Sequence, residues 1–238
     1  NVEETHAFGV SLNLEGPDPV DRAAYSRGFP KAERVGFESF WFFDRVGRGR
    51  SRPDLISSLT AASGVTSSVE LGTCILQVPR RHPVELAHRV LSAHYLSGGR
   101  LLLGVSVGST KTDLDAVDGD YANQFRQLNN VLLRMQALWR GVAEGAADLT
   151  PWETSKGGPP ILIRSWAGSR WIPIATKQYS GWIASAHFTN FAILKEGIRR
   201  YRAVSGTWAV AKNIPVDLTA TSKPLTNEDH LDLRCEPK

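Results

Sequence analysis

Between an apolar run at residues 160–165 and a helical pattern at residues 171–179, the chain reads Ala167-Gly168-Ser169-Arg170. A turn that opens a helix presents backbone N–H groups with no partner, together with the positive end of the helix dipole. Both attract anions. Gly168 has no Cβ to obstruct an approaching phosphate. The same four residues also suit an ordinary strand-to-helix turn with Ser169 as its N-cap.

A second concentration of charge follows residues 39–43. Arg45 leads into GRGRSR, which carries Arg48, Arg50 and Arg52, and Arg80 and Arg81 follow a later strand candidate. Such a face could receive an acidic cofactor tail or an acidic substrate, or it could be a solvated loop. As a nucleic-acid surface it lacks the interleaved aromatics on which bases stack. Asp44 could hydrogen-bond a cofactor or substrate, or cap the next element. His187 ends another strand candidate and could donate a proton or be structural. His82 and His88 open a helix, which suits a structural role. Cys74 has no identifiable base beside it, so it is not expected to be a nucleophile. No Cys/His spacing resembles a zinc site, and no metal is expected.

These residues need a scaffold. Residues 7–14 read as a strand, and 19–36 as helix with a kink or restart expected at Pro30. Residues 39–43 and 69–76 are strand-like, and 54–63 helical. Residues 83–96 form a helix with Pro83 in its first turn and Gly98-Gly99 closing it. Residues 100–107 are a fully apolar strand. Residues 121–139 are the clearest helix, with Phe125, Leu128, Leu132, Met135 and Trp139 in one stripe. After a Gly/Ala/Pro-rich link, the pattern continues as strand 160–165, helix 171–179, strand 181–186, helix 191–204 and strand 214–220.

Strands separated by helices pair in parallel through right-handed crossovers. Near-continuous apolar strands are buried on both faces. The result is an α/β chain, either doubly wound or a TIM-type (β/α) barrel. No G-x-G-x-x-G follows the first strand, which disfavours a nicotinamide Rossmann fold and favours the barrel. At 238 residues with 42% hydrophobic content, the chain suits one domain over residues 1–238. In a barrel, chemistry sits at the C-terminal ends of the strands. That rule selects Asn13 to Glu15, Asp44 and Arg45, Cys74 to Gln77, Ser106 to Ser109 including Gly108, Ser165 to Arg170, and His187.

Several phrases together resemble the luciferase-like monooxygenase family, which includes enzymes using FMN and enzymes using the deazaflavin F420. They are AERVGFESFWFFDR, LGTCILQVPRRHPVELA, LSGGRLLLGVSVG, FRQLNNVLLRMQALWRG and PPILIRSWAGSRWIPIATKQYSGWIAS. They cover roughly residues 7 to 220 in the family's order. The resemblance implies a phosphate loop at Ala167, Gly168, Ser169 and Arg170. It also implies a bulge with a non-prolyl cis peptide at Cys74-Ile75, set against a tricyclic ring. Asn13, Ser106 and Gly108 would join the cofactor site, and Asp44, Arg45 and His187 would be the catalytic candidates. Two positions depart from the family. Asp44-Arg45 stands where Asp-His is frequent, and Trp166 is bulky for a phosphate loop.

The expected function is hydride or electron transfer between F420, or FMN, and a small organic substrate. An oxygen-using FMN monooxygenase is the alternative, and a truncated non-catalytic flavin-binding barrel the second. The Arg-rich face suits the phosphate and acidic tail of F420. Only eight of the 28 basic residues are Lys, a bias typical of GC-rich genomes. No leader peptide, membrane span or disulfide framework is expected, so the chain reads as cytoplasmic. The net charge of +4 does not call for nucleic acid. Only seven strands are legible and the polar stretch 221–238 offers no eighth, so a barrel incomplete at its C-terminus is expected. Such an edge could be covered by further chain or by a homodimer partner.

Overall fold

The computed structural model describes residues 7–11, 22–46, 49, 52–108, 110–166, 170–185, 189–212, 214, 216–217 and 233–234. Contacts group the chain into two compact units, Asn1–Pro159 and Pro160–Lys238. In the first unit, β1 (Gly9–Val10), α1 (Arg22–Arg34), β2 (Ser39–Phe42), α2 (Leu55–Ser63), β3 (Glu70–Thr73), β4 (Leu76–Gln77), α3 (Pro83–Leu96) and β5 (Leu101–Ser106) alternate along the chain. Helices α4 (Lys111–Asp115) and α5 (Gln124–Trp139) complete the series. Every strand pair is parallel: β1 with β2, β2 with β3, and both β3 and β4 with β5. The apolar content of β5 is explained by its position, since all six of its residues are buried.

The second unit repeats the plan with β6 (Ile161–Ser165), α6 (Trp171–Gln178), β7 (Gly181–Ser185), α7 (Phe191–Ala203) and β8 (Ala209–Lys212). Its strands β6, β7 and β8 also pair in parallel. A separate parallel pair joins β9 (Val216–Asp217) to β10 (Leu233–Arg234). The fold is α/β, with the parallel strands and crossover helices of the TIM-type class.

Helices seat on the strands through large side chains. Phe29 of α1 packs on Phe40 and Phe42 of β2, with ring centroids 5.2 and 5.6 Å apart. Trp139 of α5 is fully buried and donates from Nε1 to Ala87 O of α3 at 2.9 Å. Trp182 of β7 packs on Tyr201 of α7 at 5.5 Å.

The end of the first sheet at which the strands begin is tied by two charged side chains. Arg100, the last residue of LSGGR, donates to the carbonyls of Ser63, Thr66, Val69 and Ser97 and to Thr66 Oγ1. Glu33 accepts from the backbone N–H of Ser67, Ser68 and Val69. Burial pushes the Glu33 carboxyl up, but these bonds and the Ser68 hydroxyl outweigh it and hold the pKa below its usual range. That end of a parallel sheet serves stability and leaves the other to chemistry.

Several sequence expectations need correction. The strand that pairs with β7 is 209–212, which was not expected; of the strand expected at 214–220 the described part is Val216–Asp217, which pairs with β10 instead. Tyr201 Oη donates to Trp208 O at 3.0 Å, and Trp182 N donates to the same carbonyl. The chain therefore turns into β8 directly after α7, ahead of the more apolar stretch at 214–220. Within residues 221–238, β10 forms although no apolar run marks it. Helix α1 runs through Pro30 without a break. The strand expected at 69–76 is split into β3 and β4 at Cys74-Ile75. Phe125 is exposed, so the buried stripe of α5 consists of Leu128, Val131, Leu132, Met135, Leu138 and Trp139. The short helix α4 was not foreseen.

Candidate functional site

Asp44 lies two residues beyond β2 and is buried. Arg81 donates to it from both terminal nitrogens, Nη1 to Oδ2 at 2.6 Å and Nη2 to Oδ1 at 2.9 Å. Gln77 of β4 adds a backbone N–H to Oδ2 at 2.9 Å. Its side-chain Nε2 reaches Asp44 O at 2.7 Å and Asp113 Oδ2 of α4 at 2.8 Å. One amide thus ties the exit of β2, strand β4 and helix α4 together.

The charges are strongly coupled. Burial lowers the pKa of Arg81, but hydrogen bonding and the charge of Asp44 outweigh it and hold the value above the ordinary one. Arg80 makes only a long ion pair with Asp44, at 3.5 Å, and its side chain is 4% exposed. Its Nε and Nη1 are buried without a hydrogen-bond partner. Burial therefore dominates and pulls its pKa down, partly opposed by Asp44.

Beside this network the Cys74-Ile75 peptide bond is cis, and Cys74 is buried. Cys74 N donates to Phe42 O at 2.7 Å, and Thr73 Oγ1 donates to Gly104 O at 2.7 Å. Ser106 stands in register with Gln77. Gly108 follows β5 with φ of +92°, and a Cβ there would run into Oε1 and Cδ of Gln77. Cys74, Ile75, Ser106, Gly108 and Asp44 therefore gather at the ends of neighbouring strands. Arg45 is exposed, and it and Arg52 approach the Phe43 ring at 5.8 and 5.9 Å.

Asp44, expected as a catalytic candidate, is engaged by Arg81 and Gln77. Both of its oxygens accept hydrogen bonds, so it holds the strand ends in position. Arg81, Gln77 and Asp113 carry that task with it. Sequence reading gave Arg81 only to a charged face and missed Asp113 altogether. An Arg four residues after Gln77, at a strand exit, is the signal that could have linked Arg81 to Asp44.

In the second unit, Arg170 occupies the N-cap of α6 and makes no side-chain capping bond. Arg164 of β6 donates from Nη2 to Ser185 Oγ of β7 at 2.8 Å and lies 5.0 Å from the Trp166 ring centroid. Neither Arg164 nor Ser185 was singled out from the sequence. Asn13, Ala167, Gly168, Ser169 and His187 lie outside the described residues, as do Arg48 and Arg50 of the basic loop. Among the described residues, no group of three or more His, Cys, Asp or Glu could hold a metal ion, and no helix is long and apolar enough to cross a membrane.

This arrangement of parallel strands, with polar residues gathered at their ends, defines a (β/α)-barrel class of protein whose reactive end is the C-terminal one. Residues 19–230 match the family described as luciferase-like monooxygenase, and the chain belongs to it. It is 29% identical over 123 residues to 4-hydroxyprotoasukamycin monooxygenase of Streptomyces nodosus subsp. asukaensis, covering 50% of this chain and 32% of that protein. It is 27% identical over 140 residues to the F420-dependent glucose-6-phosphate dehydrogenase of Amycolatopsis mediterranei, covering 55% and 41%. The matches thus span less than half the length of these curated relatives.

Among solved structures, the fold resembles the oxygenating constituent of 3,6-diketocamphane monooxygenase from Pseudomonas putida, in complex with FMN. The TM-score is 0.75 at 16% identity, covering 91% of this chain and 69% of that one. It also resembles the F420-dependent tetrahydromethanopterin reductase of Methanopyrus kandleri, with a TM-score of 0.65 at 18% identity, covering 89% and 67%.

Proposed function

We propose that this chain is a flavin-type oxidoreductase that moves a hydride or electrons between F420, or FMN, and a small organic substrate. The observation that carries this reading is the buried network of Asp44, Gln77 and Arg81. It fixes the ends of β2, β4 and β5 where a barrel of this family works. The names of the relatives support the cofactor class, since they include F420-dependent oxidoreductases and an FMN complex. Residues 1–238 are read as one such domain, a reading supported by a single family match over residues 19–230.

The residues present fit a phosphate-bearing cofactor. Arg170 stands at the start of α6, and its own side chain makes no capping bond there. Arg170, with Ala167, Gly168 and Ser169, would hold the phosphate through backbone N–H groups and the helix dipole. Cys74, Ile75, Ser106, Gly108 and Asn13 would bound the ring. Bound there, the cofactor supplies the redox chemistry, and the protein orients it and limits access of water. His187 is the candidate proton donor and Arg45 a candidate contact to the substrate. Asp44 acts by positioning Gln77 and Arg81. The basic residues after β2 favour F420. A monooxygenase using FMN and oxygen is the second reading, favoured by monooxygenases among the relatives and structural neighbours. We place the protein in the cytoplasm as a homodimer.

Titration of the purified chain with FMN and with F420, followed by fluorescence, tests the reading. Saturable binding of one of them is expected, and binding of neither refutes it. Gly168→Asp should weaken the bound cofactor tenfold or more, about 1.4 kcal/mol. Unchanged affinity in a folded variant would remove the phosphate-loop assignment. Oxygen uptake with the reduced cofactor separates the monooxygenase from the hydride-transfer reading.

A further inference from the structure

Between β5 and α5, at the C-terminal end of the sheet, the chain forms the short helix α4. Its five residues are too few for a helix that is stable by itself. Of residues 111–118 only Asp113 and Leu114 are buried, and the rest are exposed. Leu114 is covered from within its own segment. Its carbonyl accepts from Gly119 N at 3.0 Å, and a Cβ on Gly119 would run into Leu114 Cδ1 and Cγ. Among the described elements, no helix or strand packs along α4, whereas α3 and α5 pack along each other. A segment with so little buried against its neighbours opens at low cost.

Asp113 fastens this segment to the strand ends. It is fully buried, and its Oδ2 accepts from Gln77 Nε2 at 2.8 Å. The same nitrogen donates to Asp44 O at 2.7 Å, so α4 is held by the amide that also ties the exit of β2 to β4. Burying a carboxylate costs hydration, and opening returns it, which keeps the docked and open states close in free energy. On the β5 side the segment starts from Gly108, at φ of +92°. A glycine there can absorb the dihedral change that a moving segment requires.

We propose that α4 is a lid at the reactive end of the sheet, latched by Asp113 on Gln77. The proposal rests on the oxidoreductase reading for what the lid closes over. One amide holds both Asp44 O and Asp113. A ligand that orders the ends of β2 and β4 therefore favours the latched state, and latching in turn retains the ligand.

Amide hydrogen exchange of the full chain, read by mass spectrometry over residues 110–118 and 128–139, tests the lid. In the free chain the first stretch should exchange faster than the second, which lies in the buried part of α5. Saturation with FMN or F420, whichever binds, should slow the first stretch about tenfold. Asp113→Ala should abolish that slowing and release the bound cofactor about tenfold faster in stopped flow. Thr112→Ala, on the exposed side of the same helix, should do neither. Exchange in 110–118 as slow as in 128–139, or indifferent to a saturating cofactor, overturns the proposal. Should neither cofactor bind, the oxidoreductase reading fails by itself. The latch then stands if Asp113→Ala speeds exchange in 110–118 and leaves 128–139 unchanged, and falls if it does not.

Discussion

Arg81 grips Asp44 with both terminal nitrogens, at 2.6 and 2.9 Å, and so joins the residue after α3's preceding turn to the exit of β2. Parallel two-point contact of this kind is stronger and more directional than a single ion pair. Because Asp44 is buried, removing its charge leaves Arg81 with only its 3.7 Å ion pair to Asp54 and takes from Arg80 its 3.5 Å ion pair. Asp44→Asn is expected to cost about 3 kcal/mol in urea unfolding. Arg81→Met should cost a similar amount, and the double variant clearly less than the sum. Additive losses would show that the two residues do not act as a pair.

Gly108 is held at a positive φ beside a side chain that has no room to retreat. Gln77 Nε2 is already committed to Asp44 O and Asp113 Oδ2. An added Cβ meets Gln77 Oε1, and an L-residue is strained at this φ as well. Gly108→Ala should lower stability by about 3 kcal/mol, from backbone strain and the displaced amide together. Gln77→Ala in the same chain should recover part of the loss, because the obstruction goes. If Gly108→Ala unfolds at the same denaturant concentration as the parent, Gln77 is not fixed as described.

The strand–helix alternation was legible because burial on both faces writes itself as apolar runs, as in residues 101–106. Elements lost that legibility where contacts made elsewhere decided them. Ala209–Lys212 became a strand because Trp208 is bound from α7 and β7, against its weaker apolar pattern. The Cys74-Ile75 position came from the family resemblance, since nothing in its composition marks a break in the strand. The site was partly legible for a similar reason. Strand ends could be located, but which partner Asp44 would take depended on Arg81, 37 positions away in the chain. Arg164 passed unnoticed because a single charge in ILIRS reads as a strand terminus until its hydrogen bond to Ser185 on the neighbouring strand is known.

His94 near the end of α3 is buried, and burial holds its pKa below 6.5. Above pH 6.5 the ring is neutral in both folded and unfolded chains, so stability is at its full value. As pH falls through 6.5 the unfolded chain takes up a proton that the folded chain resists, and stability drops. The drop continues until the folded ring also protonates. His94→Leu should therefore reduce the loss of stability between pH 7.5 and 5.5, read from urea midpoints at each pH. An identical loss in parent and variant would place the pH dependence elsewhere.

The basic stretch after β2 gives a further discrimination between cofactors. Arg45 and Arg52 both approach Phe43, which draws two cations toward the exit of β2. Arg48 and Arg50 lie between them in the chain. An F420 molecule carries a phosphate and an acidic tail, whereas the anionic part of FMN is shorter. If the stretch receives the tail, replacing Arg48, Arg50 and Arg52 together with Ala should weaken F420 more than FMN. The difference should shrink as salt is added, because exposed charges are screened beyond about 10 Å at 0.1 M. Binding titrations of both cofactors at low and high salt measure it. Equal losses for the two cofactors, or a difference indifferent to salt, would assign these arginines to solvent and leave the choice of cofactor to the strand ends alone.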